Sequence, residues 1–198
     1  MGNKYLLGEI VNLKLGKTPP RANQKYWDKE KITNNVWLSI SDLTKSKSIY
    51  INDSKEYLSN EGASLFKAVP ENTLIMSFKL SIGKLAITKR ELRTNEAIVA
   101  LFIKDEKFLI KEYLFYFLSH LNWDEIAGSD IKVKGKTLNL KKLNKIEILV
   151  PKIEEQKMMV SKLDHIFSII DENISFTKGR MDQLIALKKS VLNKTLTN

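Results

Sequence analysis

Between residues 151 and 198, apolar side chains recur at alternating spacings of three and four. That repeat constrains the fold more than any other feature of the sequence. Val160, Phe167, Ile174 and Met181 fall at one heptad position, and Leu163, Ile170, Thr177, Leu184 and Val191 at the other. Thr177 and Lys188 interrupt the seam, and Gly179 lies off it. The pattern predicts one helix from Ile153 to Leu196, about 65 Å long at ~1.5 Å per residue. Pro151 suits a first-turn position, Glu154 and Glu155 suit the positive end of the dipole, and Lys188, Lys189 and Lys194 the negative end. So long an apolar seam needs something to cover it, either a partner helix or its own domain folded back along it.

The first 150 residues follow a different period. Leu7–Leu15 alternates loosely and reads as a strand, ended by GKTPPR (16–21), whose two prolines forbid both ladder bonds and helix. VWLSI (36–40) reads as a second strand, and Asp53 with Glu56 as a capping box for a short helix through Phe66. TLIMSF (73–78), KLAIT (84–88) and AIVALFI (97–103) are β-rich runs, separated by Gly83 and by KRELRTNE. KEYLFYFLSHLNW (111–123) is apolar almost all round and predicts a helix buried against the sheet. GSDIKVKGKTLNLKK (128–142) reads as a basic loop, and IEILV (146–150) as a closing strand. The expected class is α+β: a globular domain over 1–150, with a mainly antiparallel sheet and packed helices, followed by a long coiled-coil helix over 151–198.

The chain has 33 Lys and Arg against 23 Asp and Glu, a net charge of +10. A polyanionic partner fits that balance, because each phosphate contact releases condensed counterions; a solvated basic surface fits it too. Residues 151–198 hold 8 basic and 6 acidic side chains, so the first 150 carry +8 and form the better anion binder. With no cysteine there is no disulfide or thiolate chemistry, which accords with a reducing cytoplasm. Glu9, Asn12 and Lys14 break up the N-terminal apolar residues, so no signal peptide is expected there. No apolar run reaches the ~18 residues that a membrane span needs.

Motifs for catalysis do not assemble. Each of the two GKT tripeptides, Gly16–Thr18 and Gly135–Thr137, lacks the glycine a phosphate loop needs five positions upstream, where Val11 and Asp130 stand. His120 and His165 sit on separate helices without metal-ligand spacing. The lone Pro-Pro is followed by Arg21, so the Asn/Asp-Pro-Pro-Tyr/Phe signature of adenine methylases is missing.

Several segments taken together carry a resemblance. GKTPPRANQKYW (16–27), VWLSISDL (36–43), NTLIMSFKLSIGKLAI (72–87), TNEAIVAL (94–101) and IEILVPKIEEQKMMVSKLD (146–164) resemble, in order, the specificity subunit of type I restriction–modification systems. The last block is the most specific: a short strand, a proline, an acidic pair with glutamine, then the long helix. Full-length members carry two target recognition domains and two long helices, whereas this sequence holds one of each and no internal repeat, and so looks half-length. The resemblance implies a non-catalytic subunit. Its domain would read one half of a split site in double-stranded DNA. Its helix would pair antiparallel as a spacer and dock methyltransferase subunits, with a restriction subunit joining them. No cofactor is expected on this chain: S-adenosylmethionine, ATP and Mg would sit on those partners.

Phosphate contacts call for Lys and Arg, and base-edge readout for Arg, Lys, Asn or Gln. The loop candidates for DNA contact are Lys17, Arg21, Asn23 and Lys25; Lys45 and Lys47; Lys79 and Lys84; Arg90 and Arg93; and Lys132, Lys134 and Lys136. For a homodimer interface they are Val160, Leu163, Phe167, Ile170, Ile174, Met181, Leu184 and Val191. Two rival classes stand beside this reading: a coiled-coil adaptor that binds protein and never DNA, and a nuclease or methylase with an unrecognised site.

Reversing the charge of Lys132, Lys134 and Lys136 together should weaken duplex binding and flatten its salt dependence while leaving folding intact. Binding isotherms at several salt concentrations check this; an unchanged slope places the DNA face elsewhere.

Overall fold

The computed structural model describes residues 2–46, 48–79, 81–128, 131–132, 135–136 and 138–196, with the side chains of 131, 132, 135 and 136 excepted. The chain divides into two compact units, Met1–Gln156 and Lys157–Asn198. The fold is α+β, with mostly antiparallel strands and a long C-terminal helix.

The β-rich runs pair as their composition dictates. Ile98–Ile103 lies between Val11–Leu15 and Leu74–Ser77, and Leu85–Thr88 continues the sheet, all antiparallel. Tyr50–Ile51 adds a parallel edge to Leu85–Thr88. A second sheet runs Trp27–Asp28, Glu56–Leu58, Val36–Leu38, Arg93–Thr94, and its last pair is also parallel. Side chains alternate across a strand, and Val36–Leu38 uses both of its faces. Val36 and Leu38 join Ile75, Ala86, Ile98 and Ala100 in one core cluster. Trp37 turns the other way, to Leu58 and Ala63, with Trp27 and Phe66 packed beside them. Asn3–Leu6 pairs with Glu147–Val150, and Ile131–Lys132 with Gly135–Lys136. Among the described residues the strands thus fall into four sheets rather than one.

Several local expectations change. Leu7–Ile10 is one helical turn, and only Val11–Leu15 of the predicted first strand is extended. The Lys104 ammonium binds the carbonyls of Gly8 and Glu9 at 2.8 and 3.0 Å and so satisfies the end of that turn. The strand at 36–40 stops at Leu38, because Ser39 and Asp42 form a capping box that starts the helix Ile40–Lys45. Asp53 and Glu56 cap nothing. Asp53 accepts from the Tyr57 hydroxyl at 2.7 Å, Glu56–Leu58 is a strand, and Ser59 caps the helix Asn60–Ser64. The run 111–123 splits into Lys111–His120 and Trp123–Ala127, and the first buries Tyr113, Leu114, Phe115 and Leu118. The end of the basic loop, Leu140–Asn144, is helical.

The long helix spans Ile153–Leu196, 44 residues. Gln156 in its first turns is fully buried. Its side-chain oxygen accepts from the Ile110 N–H at 2.9 Å, and its amide nitrogen donates to the carbonyls of Phe108 and Pro151, each at 2.9 Å. Within the helical unit, Val160 and Leu163 are half-buried. The other interface candidates, Phe167, Ile170, Ile174, Met181, Leu184 and Val191, are 44% to 60% exposed.

Gln156→Met keeps the side chain's shape but strands the Pro151 carbonyl in a buried place and the Ile110 N–H and Phe108 carbonyl in partly buried ones. Unfolding in urea should show a loss of at least about 2 kcal/mol, because a buried group left unsatisfied costs ~1–3 kcal/mol.

Candidate nucleic-acid interface

The loop after Val11–Leu15 carries the first group of candidate cations, and the second sheet fixes its course. Lys17 donates its N–H to the Thr94 carbonyl at 2.8 Å and accepts from the Trp37 indole at 3.0 Å through its own carbonyl. A Cβ on Gly16 would collide with the carbonyl and hydroxyl of Thr94, so this glycine serves a close backbone approach. Both bonds use the backbone, so the Lys17 side chain stays exposed. It lines a groove of about 310 Å³ together with Lys14 and Lys67.

Arg21 is engaged within the domain. Its guanidinium forms a two-pronged ion pair with Glu56 and stacks 4.1 Å from the Trp27 ring centroid and 4.6 Å from that of Trp37. The two indoles meet edge to face at 5.1 Å. Asn23 caps the 3-10 turn Gln24–Tyr26 by accepting from the Lys25 N–H. The Lys25 ammonium pairs with Glu61 at 2.8 Å, and that hydrogen bond raises its pKa. Arg90 donates to the Asn34 carbonyl, and Arg93 to the Ala63 carbonyl and the Asn35 side chain. Burial lowers the Arg93 pKa. These five side chains shape the loops of the domain.

Lys45 ends the helix Ile40–Lys45, where the Lys55 ammonium beside it lowers its pKa. Lys84 is exposed, while its backbone N–H donates to the Ser77 hydroxyl at 3.0 Å. Lys79 is half-buried with its ammonium 5.3 Å from the Phe78 ring. The backbone at Lys132 and Lys136 forms a short hairpin. Their side chains, and Lys47 and Lys134 altogether, lie outside the described residues.

The structure thus gathers Lys17 with two cations that the sequence reading passed over, Lys14 and Lys67. Lys14 sits on the exposed face of an alternating strand, and that alternation was its only signal. Lys67 follows Phe66 in a segment without periodicity. Among the described residues, no group of three or more His, Cys, Asp or Glu could hold a metal ion. No described helix is long and apolar enough to cross a membrane.

Residues 3–184 match the family model of the type I restriction modification DNA specificity domain. The specificity subunit of the type I restriction enzyme MjaIX from Methanocaldococcus jannaschii is 25% identical over 173 residues, which cover 83% of this chain and 37% of that subunit. The EcoBI specificity subunit of Escherichia coli is 27% identical over 130 residues, 64% of this chain and 27% of its own length. The chain therefore spans less than two fifths of these curated relatives. Its fold superposes on the HsdS subunit from Thermoanaerobacter tengcongensis with a TM-score of 0.63 at 18% identity, covering 85% of this chain and 38% of that one. A chain from a structural study of complex assembly and conformational transition of the type I R-M system gives 0.67 at 20%, covering 85% and 39%.

The Thr18 hydroxyl donates to Glu96, and this bond, with Lys79 and Arg21 nearby, holds the Glu96 carboxyl below its ordinary range. A depressed carboxylate adds stability above its unfolded pKa of ~4.3 and loses it as pH falls through the folded value. Glu96→Gln should therefore flatten the acid limb of a urea-midpoint profile below about pH 5. A limb as steep as the wild type's would remove Glu96 from the acid response.

Proposed function

The chain belongs to the type I restriction–modification DNA specificity family, and from that membership we propose that it serves as a non-catalytic specificity subunit reading one half of a split duplex site. The observation that carries this reading is the succession of one loop-bearing α+β unit and one long helix with an exposed apolar seam. Lysines on loops and strand ends supply phosphate contacts and sequence-independent affinity. Base discrimination falls to donors held by neighbouring loops.

The engaged side chains fit that division of labour. Arg21, Asn23, Lys25, Arg90 and Arg93 fix loop geometry, and Lys17, Lys45, Lys79 and Lys84 offer cations on the resulting surface. Methyl transfer from S-adenosylmethionine, and cleavage with ATP and Mg, belong to partner subunits docked along the helix. A cytoplasmic location follows from that role.

The seam commits the helix to a partner. Phe167, Ile170, Ile174, Met181, Leu184 and Val191 form a stripe too apolar to stay in water, and a second copy of the chain, packed antiparallel, offers the same stripe in return. Such a homodimer presents one reading unit twice about a two-fold axis. Its target is then a split palindrome whose unread gap follows the helix length.

Sedimentation should find a dimer at micromolar concentration, and a monomer after Ile170→Lys and Ile174→Lys, which bury charge in the seam. A wild-type monomer rejects the dimer. Methylome mapping in cells with and without the chain should show a palindromic split site that depends on it. A non-palindromic site with this chain as the sole specificity subunit points to a second, different half. Absence of salt-dependent duplex binding favours the adaptor class.

A further inference from the structure

We propose that the groove between the strand end Lys14–Lys17 and the segment Phe66–Val69 seats DNA sugar–phosphate backbone, with Lys14, Lys17 and Lys67 on the phosphates and the Thr94 hydroxyl donating to the same strand. The proposal rests on the DNA-reading function and adds a definite contact surface to it.

Three observations converge on this groove. Its lining brings together three lysines from two chain segments about 50 residues apart, and none of its lining residues is acidic. Like charges gathered without a counter-charge are unfavourable to hold together, so an arriving anion gains from all three at once. The remaining lining includes Leu15 and Phe66, apolar surface that suits the C–H face of a deoxyribose. Finally, Thr94 is 2% exposed, and its hydroxyl has no hydrogen-bond partner among the described residues. Buried hydroxyls are almost always satisfied, so an orphan on a residue that lines a basic groove marks a place for a polar ligand. A phosphate ester supplies what each element lacks: negative charge for the lysines, an acceptor for the hydroxyl and a sugar for the apolar wall.

The location supports a positioning role. The groove abuts Gly16 and Lys17, whose backbone is bonded to Thr94 and to the Trp37 indole, so its wall is set before any ligand arrives. A prepositioned phosphate seat fixes register on the duplex without reading its sequence. Its loss should weaken all duplexes equally and leave the order of preference among them intact.

The test uses the full chain, a duplex holding its recognised site and a duplex of scrambled sequence, each titrated over a range of salt. Lys14→Gln with Lys67→Gln should weaken binding to both duplexes by the same factor. It should also make the slope of log K against log salt shallower by about 1.8, from ~0.9 per phosphate contact. Thr94→Val keeps the β-branched shape and removes the orphan hydroxyl. It should lower affinity about tenfold, the size expected for a hydrogen bond to a charged group, while leaving thermal stability equal or higher.

A wild-type slope in the double variant overturns the proposal. Unchanged affinity in Thr94→Val also overturns it, because the lysines then act as diffuse surface charge. If these variants behave as wild type while charge reversal of Lys132, Lys134 and Lys136 abolishes binding, the DNA reading stands and the groove assignment falls. If the wild-type chain binds no duplex at any salt, both fall. Inorganic phosphate or a deoxynucleoside monophosphate binding in a Lys14- and Lys67-dependent way, with duplex affinity untouched, identifies a small-anion pocket and overturns the backbone seat.

Discussion

The buried amide of Gln156 ties the start of the long helix to the end of the last strand and to the loop before the packed helix. Its oxygen takes the Ile110 N–H, just ahead of the packed helix Lys111–His120, and its nitrogen serves the Phe108 and Pro151 carbonyls. Each of these backbone groups would otherwise be buried without a partner or held open to water. An apolar residue at this position could fill the space but satisfy none of them. The Tyr113 hydroxyl adds a bond from the same packed helix to the Leu149 carbonyl at 2.6 Å. The end of the last strand, the loop before the packed helix and the helical turn that ends in Gln156 are therefore fixed by polar bonds as well as by apolar packing.

A similar logic governs the loop that follows Val11–Leu15. Tryptophan is usually treated as apolar bulk, yet both indole N–H groups here hold backbone: Trp37 binds the Lys17 carbonyl at 3.0 Å and Trp27 that of Pro20 at 3.5 Å. Their rings meanwhile carry the Arg21 guanidinium, which Glu56 neutralises. Two aromatic side chains thus set the course of a proline-interrupted segment that cannot use ladder bonds. Binding loops gain from such restraint, because ordering them costs free energy that would otherwise be lost from affinity.

What the sequence disclosed follows from how local each signal is. The β-branched runs around 73–78, 84–88 and 97–103 and the helical period after Ile153 depend on neighbours within a few residues, and the three strands and the helix form in those segments. The capping box assigned to Asp53 and Glu56 fails because both carboxylates have better partners elsewhere. Asp53 takes the Tyr57 hydroxyl, and Glu56 takes Arg21, 35 residues away. Candidate cations were legible as residue types on loops, but not as engaged or available side chains. Arg21 and Lys17 look alike in the sequence, and only the contacts of Arg21 with Glu56, Trp27 and Trp37 separate them. The groove brings Lys14 and Lys67 together through the tertiary fold, so no local pattern could pair them.

The pairing of Asn3–Leu6 with Glu147–Val150 has a consequence in time. The Lys4–Glu147 ion pair at 2.8 Å crosses this ladder between residues 143 apart in sequence. A ribosome adding ~5–20 residues per second needs about 7–30 seconds to deliver the second strand after the first. Throughout that interval the first strand is an edge without its partner. Its composition suits the wait: Asn3, Lys4 and Leu6 remain exposed even in the finished fold, and a lysine at an edge discourages pairing with foreign strands. The nascent chain can therefore carry Asn3–Leu6 unpaired until Glu147–Val150 emerges to close it.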